Sequence, residues 1–169
     1  MLKIFIVFVL FLGIGLLSRA TVFADDTATV AATVHTEVVS ITTNVSKLDY
    51  GLIQYGYDSD LIDSVTITNS GNVAEDFDVK GSDATERTNP SKIWNLVTGS
   101  VGVNSFVHDF SLSGSTYTQI NKSTFTPVSS NINSGGSTSD IHMKLVAPLA
   151  GSYSGTFDTN VYFRATKHT

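Results

Sequence analysis

Three closely spaced aspartates are the best candidates for a metal site in this sequence. Asp58, Asp60 and Asp63 follow Gly56, and their carboxylates could supply part of the roughly six to eight oxygen ligands that Ca²⁺ takes. Their spacing lacks the central glycine and the final glutamate of the EF-hand calcium loop. Acidic side chains on an exposed loop are often simply hydrated. At most, the sequence therefore predicts a calcium site at these three aspartates, and it predicts no other cofactor.

Three tyrosines around two glycine turns are the candidates for ligand binding. Tyr50 precedes Gly51, and Tyr55 and Tyr57 flank Gly56. An exposed tyrosine combines an apolar ring with a polar hydroxyl, so Tyr55 and Tyr57 could stack on a glycan or on another protein. The alternative is that Tyr50 is a buried corner residue and the other two shield a loop.

Groups for catalysis are not arranged in a known pattern. The four histidines, His35, His108, His142 and His168, are too far apart for a zinc-binding spacing. The chain has no cysteine, and no Gly-x-Ser-x-Gly turn is present to expose a nucleophilic serine. His108 interrupts an apolar strand face, which favours a buried, hydrogen-bonded histidine over a general base. We therefore expect that the protein is not an enzyme.

The N-terminal residues indicate export. Lys3 precedes an apolar run over residues 4–17, and Val22 and Ala24 occupy the −3 and −1 positions of a cleavage site after Ala24. Residues 1–24 are predicted to be a cleaved signal peptide, with an uncleaved anchor helix as the alternative, although the run is shorter than the roughly 20 residues of a membrane span. The expected location is extracellular or at the cell surface.

The mature chain is acidic. Cleavage of the signal removes two of the 10 basic residues. The mature chain then has 8 basic and 15 acidic residues, a formal charge of −7. Nucleic-acid binding needs clustered basic residues, and an anionic membrane surface attracts the same groups. We therefore expect neither nucleic acid nor a membrane as a partner after signal cleavage.

Residues 25–37 form a β-prone segment ahead of the main domain. Val30, Ala32 and Val34 share one face of an extended chain, and Thr29 lies on the other. A narrow apolar ridge of this kind can lie in a groove between strands. The segment is a donor strand that completes the sheet of a neighbouring subunit, an edge strand of its own domain, or a flexible leader.

Period-two alternation of apolar and polar residues over residues 38–169 predicts short, half-buried antiparallel strands. Val65 and Ile67 are expected to face inward, and Trp94 to anchor the core. Turn residues separate the runs, for example over residues 69–72. The polar stretch 81–92 is expected to be a long loop. About eight to ten strands at this spacing indicate a single antiparallel β-sandwich.

The turn motifs also carry a resemblance. Leu48-Asp49-Tyr50-Gly51, then Val65-Thr66-Ile67-Thr68-Asn69-Ser70-Gly71-Asn72, and later Pro148 with Gly151-Ser152-Tyr153-Ser154-Gly155 resemble secreted immunoglobulin-like sandwich modules of bacteria and archaea. The resemblance covers about residues 40–167 and implies an immunoglobulin-like fold in surface layers, adhesins and matrix proteins. A secreted, cysteine-free sandwich with an N-terminal strand is also similar to fibre-forming matrix and pilus subunits.

The function predicted from these features is structural. The chain is expected to be a non-enzymatic, secreted subunit of an extracellular fibre, surface layer or matrix that assembles by β-strand addition. Its partners would then be further copies of itself or other surface proteins. The alternative is an adhesive cell-surface module that binds glycans or proteins.

Overall fold

The computed structural model describes residues 31–59 and 64–169, and in this part of the chain all regular secondary structure is β. The predicted signal peptide and residues 25–30 lie outside the described residues. Residues Thr36–Thr169 form one compact unit. Within the described ranges, no helix is long and apolar enough to cross a membrane.

Twelve strands are defined in the described residues, several of them only two or three residues long. They are β1 (Ile41–Thr43), β2 (Ser64–Val65), β3 (Ile67–Asn69), β4 (Glu75–Gly81), β5 (Ala84–Glu86), β6 (Ile93–Leu96), β7 (Ser105–Ser111), β8 (Thr118–Gln119), β9 (Thr126–Ile132), β10 (Ile141–Val146), β11 (Phe157–Asp158) and β12 (Val161–Lys167).

The strands form one large and two small sheets. The large sheet has the order β11-β5-β6-β7-β10-β2, with β8 also paired to β7. A three-stranded sheet has the order β12-β4-β9, and β1 pairs with β3. In the three-stranded sheet, β12 pairs with β4 over seven residues, from Val161 opposite Gly81 to Lys167 opposite Glu75.

The sheets share one hydrophobic core, and the alternation of residue types predicted which side chains enter it. Val65 and Ile67 are buried, as are Phe77 and Val79 on β4. The burial pattern of β10 also alternates strictly, with Ile141, Met143 and Leu145 inside. This burial confirms the assignments from the sequence. They were predictable because every second side chain of a strand lies on the same face.

Three expectations about the architecture were wrong. The pairing is not purely antiparallel, because β6 and β7 run parallel, with Asn95 opposite Ser105. The stretch 81–92 is not one long loop, since it contains β5, whose Ala84 is buried. The strands also number more than ten. Strands of two or three residues are too short to show an alternation pattern, which explains why they were missed.

The turn between β3 and β4 fixes the start of the compact unit. A Cβ atom on Gly71 would collide with the backbone oxygen of Val38, so only glycine lets these two stretches approach so closely. The side-chain amide of Asn72 donates to the Thr36 carbonyl, and the backbone N–H of Asn72 donates to the Val38 carbonyl. The chain is therefore held to this turn from Thr36 onward.

Candidate functional site

A groove of about 730 Å³ opens into the core beside an irregular stretch of chain, residues 45–53, which we call the crossing segment. Its other wall consists of residues 155–163, which include β11 and the start of β12. Trp94 and His108 also line the groove. The groove therefore lies between two stretches of backbone and reaches side chains of the core.

The crossing segment packs by its side chains, without strand pairing. Val45, Leu48, Tyr50 and Ile53 are partly buried against the hydrophobic core. Among the described residues, no backbone–backbone hydrogen bond involves residues 45–53, and no strand pairs with them. Because backbone that lacks such bonds can accept another strand, this stretch is an open edge within the part of the chain that the structure describes.

Tyr50 and His108 form a polar contact in this wall of the groove. The Tyr50 hydroxyl lies 2.6 Å from Nε2 of His108, and the two rings meet edge to face. Burial lowers the pKa of His108 to about 4 and raises the pKa of Tyr50 well above its usual value. Both groups are therefore neutral at physiological pH, and the hydroxyl and Nε2 share one hydrogen bond. The expected buried, hydrogen-bonded His108 is confirmed, whereas Tyr50 is only partly buried.

An aromatic pair lines the opposite side. Trp94 stacks on Phe157 with ring centroids 3.9 Å apart, and its indole N–H donates to the Tyr153 carbonyl. Nearby, Arg87 forms a two-point salt bridge with Asp158, with nitrogen–oxygen distances of 3.0 and 2.7 Å. The expected anchoring role of Trp94 is confirmed: it packs against the core and its N–H has a partner.

The outer edge of β12 borders the same opening. This strand pairs with β4 on one side, and no described strand pairs with its other side. It begins at Val161, which lines the groove, and continues to Lys167. The groove thus leads onto a seven-residue strand whose outward backbone groups face no strand among the described residues.

The predicted calcium ligands are only partly described. Asp58 forms a salt bridge with Lys144, whose Nζ lies 3.0 Å from its carboxylate, and Asp60 and Asp63 lie outside the described residues. Lys144 also lies 3.9 Å from the buried Asp109, whose pKa is raised by desolvation. Within residues 31–59 and 64–169, no group of three acidic or histidine side chains is placed to hold a metal ion. Calcium binding stays a prediction.

The two candidate tyrosines differ in exposure. The Tyr55 hydroxyl donates to the Ser152 carbonyl at 3.2 Å, so this side chain ties two loops together. Tyr57 is 60% exposed. The structure therefore does not place them as a joint exposed platform, and Tyr57 is the one available for contact.

The predicted donor segment is described only in part. Thr29 and Val30 lie outside the described residues. Ala32 and Val34 have no regular secondary structure, and their side chains are exposed, Val34 by 86%. The apolar ridge predicted for this segment is thus uncovered in its described half.

Sequence reasoning missed the open character of the crossing segment. The alternation of Leu48 and Tyr50 with Lys47 and Asp49 suggests a strand, and nothing in it shows whether a neighbouring strand is present. It also missed Asp109, which lies on β7 between His108 and Phe110 and is buried because both faces of this strand are covered. No family model matches the chain, and no curated protein matches it.

Proposed function

We propose that the protein is a structural subunit of an extracellular fibre, surface layer or matrix that assembles by β-strand addition. The observation that supports this most directly is the groove, because backbone that no described strand pairs with borders it on both sides. The crossing segment forms one border, and β12 with its free outer edge forms the other. A strand that enters from another molecule would gain main-chain hydrogen bonds at these edges.

The segment over residues 25–37 of a second copy is the proposed incoming strand. Its ridge of Val30, Ala32 and Val34 is narrow enough to lie between sheet edges, and the aromatic wall of Trp94 and Phe157 offers it apolar contact. Main-chain bonding would supply affinity, and the alternate side chains would set the register. A subunit that donates one strand and accepts another can extend into a fibre.

The finer fold and the location belong to the same proposal. We infer that the large sheet and the three-stranded sheet face each other as an immunoglobulin-like sandwich, supported by the single core that their inner side chains share. Secretion is supported by the signal-like residues 1–24 and by the high content of Ser and Thr, about one-quarter of the mature chain. Export would bring many copies together outside the cell, where assembly takes place.

The test compares two forms of the chain, one that begins at Asp25 and one that begins at Val38. The longer form should sediment as large assemblies and show filaments by electron microscopy, whereas the shorter form should remain monomeric with similar thermal stability. Val34→Asp in the longer form places a charge on the ridge and should also prevent assembly. Thr33→Asp, on the opposite face, is its matched control. Identical monomers from both chain lengths would refute strand addition.

A further inference from the structure

One end of the compact unit carries exposed apolar side chains from three neighbouring loops. We call it the loop end, residues 50–57, 97–104 and 147–156. Tyr57 and Val103 are each 60% exposed, Leu149 is 44% exposed and Tyr153 is 43% exposed. Exposed apolar groups that gather at one place mark interaction surfaces more often than isolated ones do.

Hydrogen bonds between the loops show that these side chains belong to one surface. The Leu149 N–H donates to the Gly102 carbonyl, and the Gly56 N–H donates to the Pro148 carbonyl. The Asn104 N–H donates to the Ser152 hydroxyl, and the Tyr153 N–H donates to the Asn104 side chain. The three loops are therefore held together, and their apolar side chains are presented as a set.

The loop end lacks charge in a chain with 10 basic and 15 acidic residues. None of residues 50–57, 97–104 and 147–156 is Asp, Glu, Lys or Arg. Interface cores are depleted of charged residues in the same way. Copies of an acidic protein repel one another, and this neutral surface is where another copy can approach with the least repulsion.

The N-terminal segment leaves the compact unit at the opposite end. Strand β10 runs toward the loop end. It starts at Ile141, which pairs with Val65, and it ends at Val146, which pairs with Val107 near the loop end. Because β2 is antiparallel to β10, the chain from Val65 through β3 runs away from the loop end. Asn69 at the far end of β3 pairs with Ile41, so residues 36–40 lie at the end opposite the loops. We call residues 36–40 the leader end.

The leader end also exposes apolar side chains. Val38 and Val39 are 47% and 44% exposed. Two different apolar surfaces at opposite ends of one subunit are the arrangement needed for a heterologous, head-to-tail contact, which repeats without closing when the rotation does not form a ring. A second copy is therefore the occupant whose geometry fits both ends.

We propose that the loop end of one copy packs against the leader end of the next, as the axial contact between consecutive subunits. This inference rests on the proposed fibre function, and it adds a contact that strand addition alone does not require. In the assembled state, the leader end would place residues 25–37 close to the neighbouring subunit. The apolar side chains of both ends would lose their exposure to water.

The test uses two exposed positions in the chain that begins at Asp25. Tyr153→Glu places a charge in the loop end, and Thr118→Glu places one on β8, at an exposed position outside the groove and outside both ends. We expect Tyr153→Glu to raise the concentration needed for assembly at least tenfold, measured by sedimentation. Thr118→Glu should change it less than twofold. Both variants should keep the melting temperature of the unsubstituted chain.

Two further variants extend the comparison to both ends. Val103→Glu in the loop end and Val39→Glu in the leader end should each weaken assembly like Tyr153→Glu. If the unsubstituted chain assembles and the three end variants assemble equally well, the axial contact is refuted while strand addition stands. If the unsubstituted chain remains monomeric at every concentration, the fibre proposal itself fails, and this contact fails with it.

Discussion

At the scale of single residues, the contact between Tyr50 and His108 is the polar link between the crossing segment and the core. The two side chains come from residues 58 positions apart, and His108 is fully buried. A buried polar group that loses its partner retains the cost of its desolvation. This contact should therefore stabilise the wall of the groove more than an exposed hydrogen bond would.

Removal of the Tyr50 hydroxyl tests this contact. Tyr50→Phe leaves Nε2 of His108 buried without a hydrogen-bond partner, so we expect the free energy of unfolding to fall by about 1–3 kcal/mol. Tyr57→Phe removes a hydroxyl from an exposed side chain and is the matched control, with an expected change within about 0.5 kcal/mol. Urea denaturation of both variants measures the difference. Equal effects from the two changes would contradict the role of Tyr50.

His108 should make the stability depend on pH. Its pKa is lowered by burial to about 4, so between about pH 6.5 and pH 4 the unfolded chain binds a proton that the folded chain does not. The stability that the neutral, buried His108 contributes is complete above pH 6.5. It declines as the pH falls through this window, by about 3 kcal/mol in total.

The measurement is urea denaturation at a series of pH values for the natural chain, His108→Gln and His142→Gln. His108→Gln should remove this part of the pH dependence, whereas His142→Gln, at a half-buried position on β10, should keep it. A slope that survives in His108→Gln would show that another group causes the decline.

At the scale of elements, the β3–β4 turn controls whether β1 stays in place. Gly71→Ala would force its new methyl group against the backbone oxygen of Val38. We expect a loss of about 1–3 kcal/mol, typical of overpacking, together with faster amide exchange in residues 38–43. Ser70→Ala alters only an exposed hydroxyl contact with Ser40 and is the control. Unchanged exchange in Gly71→Ala would contradict the close approach.

The elements also show how far the sequence could predict this fold. Long strands with strict alternation, such as β4 and β10, were predicted correctly because each side chain reports its own environment. The parallel pairing of β6 with β7 was not predictable, since Asn95 and Ser105 meet only because the loop between them folds back. The same limit applies to the groove. The residues of the crossing segment favour an extended chain, but their pattern does not show whether another strand pairs with it.

At the scale of the whole molecule, unpaired edges and one uncharged end define how copies could meet. The groove provides edges for a strand, and the uncharged loop end and the leader end, where Glu37 is paired with Lys167, provide the axial contact. Most other charged residues lie elsewhere, for example in the salt bridge between Arg164 and Asp78 on the three-stranded sheet. This separation predicts that assembly depends only weakly on salt, because the proposed contacts are apolar and main-chain contacts.

Salt dependence can be measured directly. Raising the salt concentration from about 0.05 to 0.5 M should leave the concentration needed for assembly unchanged or lower it, because screening reduces the repulsion between acidic subunits. Sedimentation at each salt concentration provides the readout. Assembly that dissolves at high salt would indicate that ion pairs, and not apolar ends and strand edges, hold the copies together.

The central claim is that residues 25–37 of one copy enter the groove of another, and cross-linking between two single-cysteine chains tests it most directly. The natural chain has no cysteine, so Ala32→Cys in one chain and Leu48→Cys in the other provide one thiol each. After the two chains are mixed and oxidised, mass spectrometry should find the disulfide between the two different chains as the main product. Filaments without that mixed disulfide would contradict the account.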